Sequence, residues 1–178
     1  MMYVALLRGI NVAGKHLLPM EELAAIVSAC KCTDVRTYIQ SGNIVFAAST
    51  DMAKRLPALL TKRIEERFGF ATPVVLRSRD ELARVVHTNP FVAANLPQNT
   101  LHVYFLNERA HENAVQSLDQ KRSMPDEFRI IGREIYLHLP NGMGRTKLTN
   151  AFFESRLKTV ATARNWTTVQ RLLEMMQS

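Results

Sequence analysis

Two patterns of hydrophobic and polar residues, one typical of strands and one typical of helices, alternate along the first half of the chain. Short apolar runs bounded by turn residues predict β-strands at residues 3–7, 34–40, 43–47 and 73–77. Apolar residues three and four positions apart predict one helix that follows Pro19 and another that ends at Gly69. Pro57 is unfavourable inside a helix, so we expect the regular part of the second helix to begin near Leu56.

The order of these elements is strand, helix, strand, strand, helix, strand. It is the order of the split βαβ unit of ferredoxin-like folds. In that arrangement the first two strands run parallel to each other, with the third strand between them. The loops that follow these two strands, residues 8–14 and 40–43, should therefore emerge on the same rim of the sheet.

The second half repeats this pattern in outline. Ser78 and Glu81 predict a capping box for a helix that ends before Asn89, and residues 91–100 then connect the halves. Beyond the connector we expect a strand, a helix, a hairpin, a helix and a last helix capped by Asn165, at residues 101–106, 111–120, 127–139, about 146–157 and from 166. The sequence thus predicts an α+β fold of two ferredoxin-like halves in tandem, residues 1–90 and 91–178, with a helical C-terminal extension.

The composition allows a folded chain with a sizeable core and a basic surface. Of the 178 residues 47% are hydrophobic, which suits one large domain or two small halves. The formal net charge is +7 and the pI is about 9.8, which is compatible with an acidic partner such as nucleic acid, a nucleotide or another phosphorylated metabolite. Basic residues are densest between Gly144 and Arg164.

The two cysteines and the N-terminal sequence indicate the cellular compartment of the protein. Cys30 and Cys32 are one residue apart, which suits neither a disulfide framework nor the two-residue gap usual in zinc sites. We therefore expect free thiols in a reducing cytosol. The chain does not begin with the basic start, apolar stretch and cleavage site of a secretory signal, and no apolar run is long enough to span a bilayer. These features predict a cytoplasmic protein without a membrane partner.

A loop at residues 8–11 and a turn at 40–43 carry polar groups that a hydrophobic core does not require. The guanidinium of Arg8 matches phosphate or carboxylate, and amide side chains in both segments can donate and accept hydrogen bonds. The structural alternative is that glycines satisfy the backbone geometry and that Asn11 makes a local turn. The ligand hypothesis is a site for a small anionic or nucleotide-like molecule formed by Arg8, Gly9, Asn11, Gln40, Ser41 and Asn43.

A second candidate for anion binding is the segment 141–147, which follows a predicted strand and opens a predicted helix. Backbone donors, a helix N-terminus and two cations coincide there. The segment is not a Walker A sequence and lacks the third glycine of the dinucleotide fingerprint, so a solvated basic turn with a Thr146 or Thr149 cap is an equal alternative. The candidate residues are Gly144, Arg145, Thr146 and Lys147, with Arg164 at the end of the last loop.

No catalytic machinery assembles from the sequence. The histidines are scattered, and His111 lacks the second histidine four positions later that a zincin needs. Ser41 lies in a strand–strand turn rather than in the strand–helix elbow of hydrolases, and residues 43–46 lack the aromatic signature of RNA-recognition modules. We therefore assign no catalytic residue, metal or cofactor, and whether the protein is an enzyme stays open.

Four segments of the chain resemble the bacterial family known as domain of unknown function 1697. They are YVALLRGINV at residues 3–12, DVRTYIQSGN at 34–43, GRTKLTN at 144–150 and RNWTTV at 164–169. Ala13 stands where the resemblance leads us to expect Gly, and Thr146 stands where Ser is common. The resemblance implies a small cytosolic α+β protein built from ferredoxin-like halves, and it brings no established activity.

These patterns lead to two functional hypotheses. The first is binding of a small anionic or nucleotide-like ligand through the polar loops at the sheet rim. The alternative is a nucleic-acid-binding protein that uses the basic region from Gly144 to Arg164. The sequence does not predict an oligomeric state.

Overall fold

The computed structural model describes residues 1–177, which form two compact units. The first unit contains residues 1–83 and 171–177, and the second contains residues 84–170. Both units are mixed α+β structures, in agreement with the fold class predicted from the sequence.

The first unit contains four strands and two helices, which follow one another in the predicted order. They are β1 (Met2–Leu7), α1 (Met20–Ser28), β2 (Thr33–Tyr38), β3 (Asn43–Ala47), α2 (Thr50–Phe68) and β4 (Val74–Ser78). The four strands form one antiparallel sheet in the order β2-β3-β1-β4. Strands β1 and β2 therefore run parallel to each other with β3 between them, as predicted.

Helix α2 begins earlier than the sequence suggested. The Ser49 hydroxyl caps it by accepting a hydrogen bond from the Met52 amide at 3.2 Å, and Gly69 ends it with a φ of 76°. The prediction of a start near Leu56 is wrong, because Pro57 lies inside the helix. The turn before Pro57 is held by the Ser49 cap and by the buried Ala53, although Pro57 cannot donate a backbone hydrogen bond.

The second unit is reached through α3 (Arg79–His87), which the predicted capping box begins. The Ser78 amide donates to the Glu81 carboxylate at 2.8 Å and the Glu81 amide donates to the Ser78 hydroxyl at 3.3 Å. The elements that follow are α4 (Pro90–Ala93), β5 (Leu101–Leu106), α5 (Glu112–Gln116), β6 (Glu127–Ile131), β7 (Glu134–His138), α6 (Asn150–Leu157), β8 (Ala161–Asn165) and α7 (Trp166–Gln177). Strands β5 to β8 form a second antiparallel sheet in the order β6-β7-β5-β8.

Several boundaries in the second unit differ from the predictions. The sequence pattern missed β8, because an Ala-Thr-Ala-Arg-Asn segment has none of the bulky apolar residues that mark a strand. Helix α5 ends at Gln116 rather than at 120, and α6 begins at Asn150 rather than near 146. In α6 the Thr149 hydroxyl accepts from the Phe152 amide at 3.2 Å, so Thr149 is the cap.

Each unit has its own hydrophobic core between its sheet and its helices. In the first unit one face of the sheet packs against α1 and α2, with Leu7, Phe46, Leu23 and Leu60 in one cluster. In the second unit the corresponding cluster centres on Phe153 of α6 and aromatic and aliphatic side chains of β5 to β7. The sheets therefore hold their connecting loops at fixed positions along the strand ends.

Candidate functional site

The two polar loops of the first unit meet at the rim of the sheet, as the strand directions predicted. The Asn11 side chain joins them. Its Nδ2 donates to the carbonyl oxygens of Leu18 at 2.9 Å and Gln40 at 2.8 Å, and its Oδ1 accepts from the Leu18 amide at 2.8 Å. All three hydrogen bonds go to main-chain atoms, so Asn11 closes its own loop and ties it to the β2–β3 turn.

Asn43 makes a similar set of contacts inside the β2–β3 turn. It is fully buried, and its Nδ2 donates to the Tyr38 carbonyl at 3.0 Å and to the Ser41 hydroxyl at 2.9 Å. Gln40 and Ser41 are exposed. Two of the three amide side chains proposed as ligand groups therefore serve the backbone or the turn, and Gln40 alone turns its amide toward solvent.

The main chain of Arg8 is fixed to the start of β4. Its amide donates to the Pro73 carbonyl at 3.0 Å, and its carbonyl accepts from the Thr72 hydroxyl at 2.8 Å. The side chain is half-buried. Next to it Gly9 is exposed with a φ of 70°, and its carbonyl lies 3.2 Å from Nδ1 of His16.

Gly42 lets the turn lie directly against β1. Its carbonyl accepts from the Leu7 amide at 2.9 Å, and its φ is 78°. A Cβ atom at this position would lie 2.8 Å from the Cβ of Leu7 and 2.9 Å from Cδ1 of Ile10. Close packing as well as backbone conformation therefore requires glycine here.

The rim contains strained backbone conformations, and it exposes large apolar side chains beside its polar groups. Four residues other than glycine have positive φ angles in the two loops: Asn11, Ala13, His16 and Ile39. A β-branched residue such as Ile39 rarely adopts this conformation, and its φ of 47° ends β2 at Tyr38 instead of at the predicted residue 40. Val12, Leu17 and Ile39 are 61%, 63% and 50% exposed, which is unusual for large apolar side chains.

In the second unit the predicted anion-binding turn contacts the loop at residues 121–123, which was not among the predicted sites. The Lys147 amide donates to the Ser123 hydroxyl at 2.9 Å, and the Arg122 Nε donates to the Lys147 carbonyl at 3.2 Å. The Thr146 hydroxyl lies 3.4 Å from the Ser123 hydroxyl. We call residues 121–123 and 144–147 the basic loop pair.

Four exposed cations project from the basic loop pair: Lys121, Arg122, Arg145 and Lys147. The Arg122 guanidinium lies over the Phe152 ring at 4.4 Å from its centroid, which fixes its direction. The acid beneath these loops is Asp126, which is 6% exposed and accepts from the Ser123 hydroxyl at 2.6 Å. Its charge is thus used to hold the loop. At the surface the four cations outnumber the nearby Asp119, whose carboxylate accepts from the Lys121 amide at 2.9 Å.

The basic loop pair differs from the prediction in one respect. Residues 144–147 do not open a helix, because α6 begins three residues later at Asn150 behind the Thr149 cap. Gly144 is exposed and has open space around its Cα, so close packing does not require glycine there. The positive charge of this site comes from side chains, and the helix N-terminus is no part of it.

Arg164 is not the exposed loop residue that the sequence suggested. It lies in β8 and is 6% exposed. Its Nη1 donates to the Thr162 hydroxyl at 2.8 Å and to the Ala163 carbonyl at 2.7 Å. Burial lowers its pKa to about 10, which still leaves the guanidinium charged at neutral pH. Arg164 is therefore a buried strand residue rather than the loop residue that the sequence suggested, and these donors serve the sheet.

Lys121 and Arg122 were not among the candidates predicted from the sequence, because a loop between a helix and a strand has no hydrophobic periodicity. The feature of the sequence that could have indicated them is the basic run Lys-Arg-Ser at residues 121–123. Among residues 1–177 no group of three or more histidine, cysteine or acidic side chains could hold a metal ion. No helix within the same residues is long and apolar enough to cross a membrane.

The fold and the site define an α+β chain with two four-stranded antiparallel sheets, a polar rim in one unit and a basic loop pair in the other. Residues 1–136 match the family described as protein of unknown function, DUF1697, and the chain belongs to this family. The resemblance seen in the sequence is thereby confirmed.

Comparison with other proteins supports the fold and adds no activity. The structure of the conserved bacterial protein SP0830 from Streptococcus pneumoniae is similar with a TM-score of 0.75. The two sequences are 24% identical over 99% of this chain and 98% of that chain. None of the curated proteins matches the chain.

Proposed function

We propose that the protein binds nucleic acid through its phosphate backbone, using the basic loop pair. The supporting observation is that the four cations of this pair have no acidic partner. Among residues 1–177 no ion pair involves Lys121, Arg122, Arg145 or Lys147. Unpaired, exposed Lys and Arg side chains on loops are the groups that contact phosphates in protein–nucleic-acid complexes.

The exposure of the basic loop pair favours an extended ligand. Small ligands are usually held in concave sites that bury most of their surface. The cations of the loop pair are instead exposed on two adjacent loops, an arrangement that suits a chain of phosphates. The net charge of +7 adds a long-range attraction for such a polyanion.

Binding of a small anionic or nucleotide-like ligand at the rim of the first unit is a second proposal with less support. The amides of Asn11 and Asn43 already have main-chain or turn partners. Arg8, Gln40 and Ser41 would have to provide the polar contacts. Stabilisation of the protein by a mononucleotide that disappears in Arg8→Ala would support this site.

We also infer that both units have the ferredoxin-like topology. The first unit runs β1-α1-β2-β3-α2-β4 with the sheet order β2-β3-β1-β4. The second runs β5-α5-β6-β7-α6-β8 with the order β6-β7-β5-β8, which repeats the first position by position. Two split βαβ units in tandem account for this repetition. We also propose that the protein is cytoplasmic, since the buried thiols of Cys30 and Cys32 would stay reduced there.

The experiment that tests the nucleic-acid proposal is fluorescence anisotropy with labelled single-stranded and double-stranded oligonucleotides. The variant Arg145→Gln/Lys147→Gln should bind about tenfold or more weakly, since each lost phosphate contact removes favourable counterion release. The control Arg109→Gln removes an exposed charge of the same unit outside the loop pair and should bind nearly as wild type. Tight binding of mononucleotides without binding of oligonucleotides would contradict the proposal.

A further inference from the structure

A cleft in the first unit, between the end of α1 and the exposed side of α2, carries unbalanced positive charge. Its volume is about 450 Å³, and it is lined by Ala29, Cys30, Lys31, Ser49, Met52, Arg55, Leu59 and Arg63. Three of these side chains are cations and none is an acid. The volume lies within the range of roughly 300 to 1,000 Å³ that small-molecule sites occupy.

The three cations of the cleft have no carboxylate partner. Within residues 1–177, no ion pair involves Lys31, Arg55 or Arg63. Arg55 makes one long hydrogen bond, 3.4 Å from its Nε to the Asp51 carbonyl. The guanidinium and ammonium groups are therefore left to interact with water or with a bound anion.

The lack of carboxylate partners does not extend to two neighbouring cations of α2, which form ion pairs. Lys62 pairs with Glu66 at 3.7 Å, and Arg67 pairs with Glu22 of α1 at 2.5 Å. Acidic residues are thus available on both helices and are placed away from the cleft.

The helix dipoles at the cleft oppose each other. α1 ends beside it at Ser28, which brings a partial negative charge of about one half, and α2 begins beside it at Ser49, which brings a similar partial positive charge. These contributions offset each other. The three full positive charges therefore determine the potential of the cleft.

The floor of the cleft is apolar. Met52 and Leu59 are half-buried and lie on the same side of α2 as Arg55 and Arg63, because the four residues are spaced by three or four positions. A second cleft adjoins this one, shares Ala29 and Arg63 with it, and continues past Ala25 and Ile26 of α1. Ala25, Ile26 and Ala29 thus extend the apolar surface away from the charged end, and Glu66 and Arg67 line the other side of this second cleft.

We propose that this cleft binds a small amphiphilic anion. Arg55, Arg63 and Lys31 would hold a phosphate or carboxylate head group, and an alkyl chain would lie over Met52 and Leu59 toward α1. Arginine suits such a head group because its planar fork donates two hydrogen bonds to one anion. The proposal concerns the first unit and does not depend on nucleic-acid binding by the second.

The test is isothermal titration of the purified protein with octyl phosphate and octanoate, both below the concentration at which they form micelles. Inorganic phosphate and neutral 1-octanol serve as ligands that carry only one of the two features. Octyl phosphate and octanoate should bind, and the other two should bind about tenfold or more weakly, because each lacks either the charge or the chain.

Substitutions locate the site. Arg63→Gln and the exposed Arg55→Gln should each weaken octyl phosphate binding about tenfold. Lys54→Gln removes an exposed charge of the same helix outside the cleft and should leave binding unchanged. Leu59→Ala should weaken octyl phosphate while sparing inorganic phosphate. An equal loss in Lys54→Gln and Arg55→Gln, or no heat from either amphiphile, would overturn the proposal.

Discussion

Arg77 and Arg164 occupy equivalent positions in the two sheets. Each is the fourth residue of the last strand, β4 or β8, opposite a fully buried valine of the central strand, Val4 or Val103. They are 1% and 6% exposed, and each Nη1 donates to the carbonyl of the preceding residue, at 2.8 and 2.7 Å. A buried guanidinium is thus a structural feature that the two units share.

The Arg164 side chain should contribute strongly to stability. Arg164→Ala removes the donors to Thr162 and Ala163 and leaves a cavity, so we expect the free energy of unfolding to fall by about 2 to 4 kcal/mol. Arg164→Met should cost less, because the side chain still fills the space and no charge remains buried. Urea unfolding measures both, with the exposed Arg156→Ala as control. Wild-type stability in Arg164→Ala would contradict this role.

His102 should make the protein less stable in acid. Burial lowers its pKa below the ordinary value of 6.5, and the Thr100 backbone offsets only part of this effect. Between the folded and unfolded pKa values the unfolded chain binds more protons, so the contribution is complete above pH 6.5 and is lost as the pH falls through that window. Urea unfolding at pH 7.5 and 5.5 measures the loss, which should be smaller in His102→Gln. An identical pH dependence in wild type and His102→Gln would refute this explanation.

Gly42 and Gly14 should respond differently to the same substitution. Both have positive φ angles, 78° and 74°, so alanine is strained at either position by about 1 to 2 kcal/mol. Only at Gly42 does the new Cβ meet another atom, the Leu7 Cβ at 2.8 Å, which adds about 1 to 3 kcal/mol. Thermal unfolding of Gly42→Ala and Gly14→Ala compares the two costs. Equal melting temperatures would show that close packing at the rim is unimportant.

Asn11 should be required as an amide. Asn11→Asp replaces the Nδ2 donor by an oxygen facing the carbonyls of Leu18 and Gln40, so it should destabilise the rim by about 2 to 3 kcal/mol, close to the cost of Asn11→Ala. Gln40→Ala keeps the main-chain carbonyl that Asn11 contacts, so it should leave the free energy of unfolding nearly unchanged. Hydrogen exchange of the Leu18 amide, which donates to Oδ1, reports on the loop directly. Unchanged protection in Asn11→Asp would rule out this role.

The sequence predicted the strand order of the first unit because its apolar runs and its turn residues agree. The meeting of the two polar loops at one rim followed from strand direction alone. For Asn11 the sequence left a local turn and a ligand contact open, because a polar side chain in a loop looks the same whether it faces a ligand or a main-chain carbonyl. The same ambiguity applied to Asn43.

The second unit was harder to predict for a related reason. Arg164 stands in a strand with no bulky apolar residue, so neither the strand nor the burial of the guanidinium left a periodic signal. The contact of Arg122 and Ser123 with Lys147 joins residues 24 and 25 positions apart, and only the fold brings such loops together. The charged cleft between α1 and α2 could not be predicted for the same reason, because only the fold determines which cations lack acidic neighbours.

The most direct test of nucleic-acid binding by the basic loop pair is the dependence of oligonucleotide affinity on salt. For wild type, log K should fall linearly with log salt concentration, because phosphate contacts release counterions. In Arg145→Gln/Lys147→Gln the slope should be shallower by roughly 1.4 to 1.8, the value expected for two lost contacts. No binding at low salt, or the same slope in both proteins, would contradict the account.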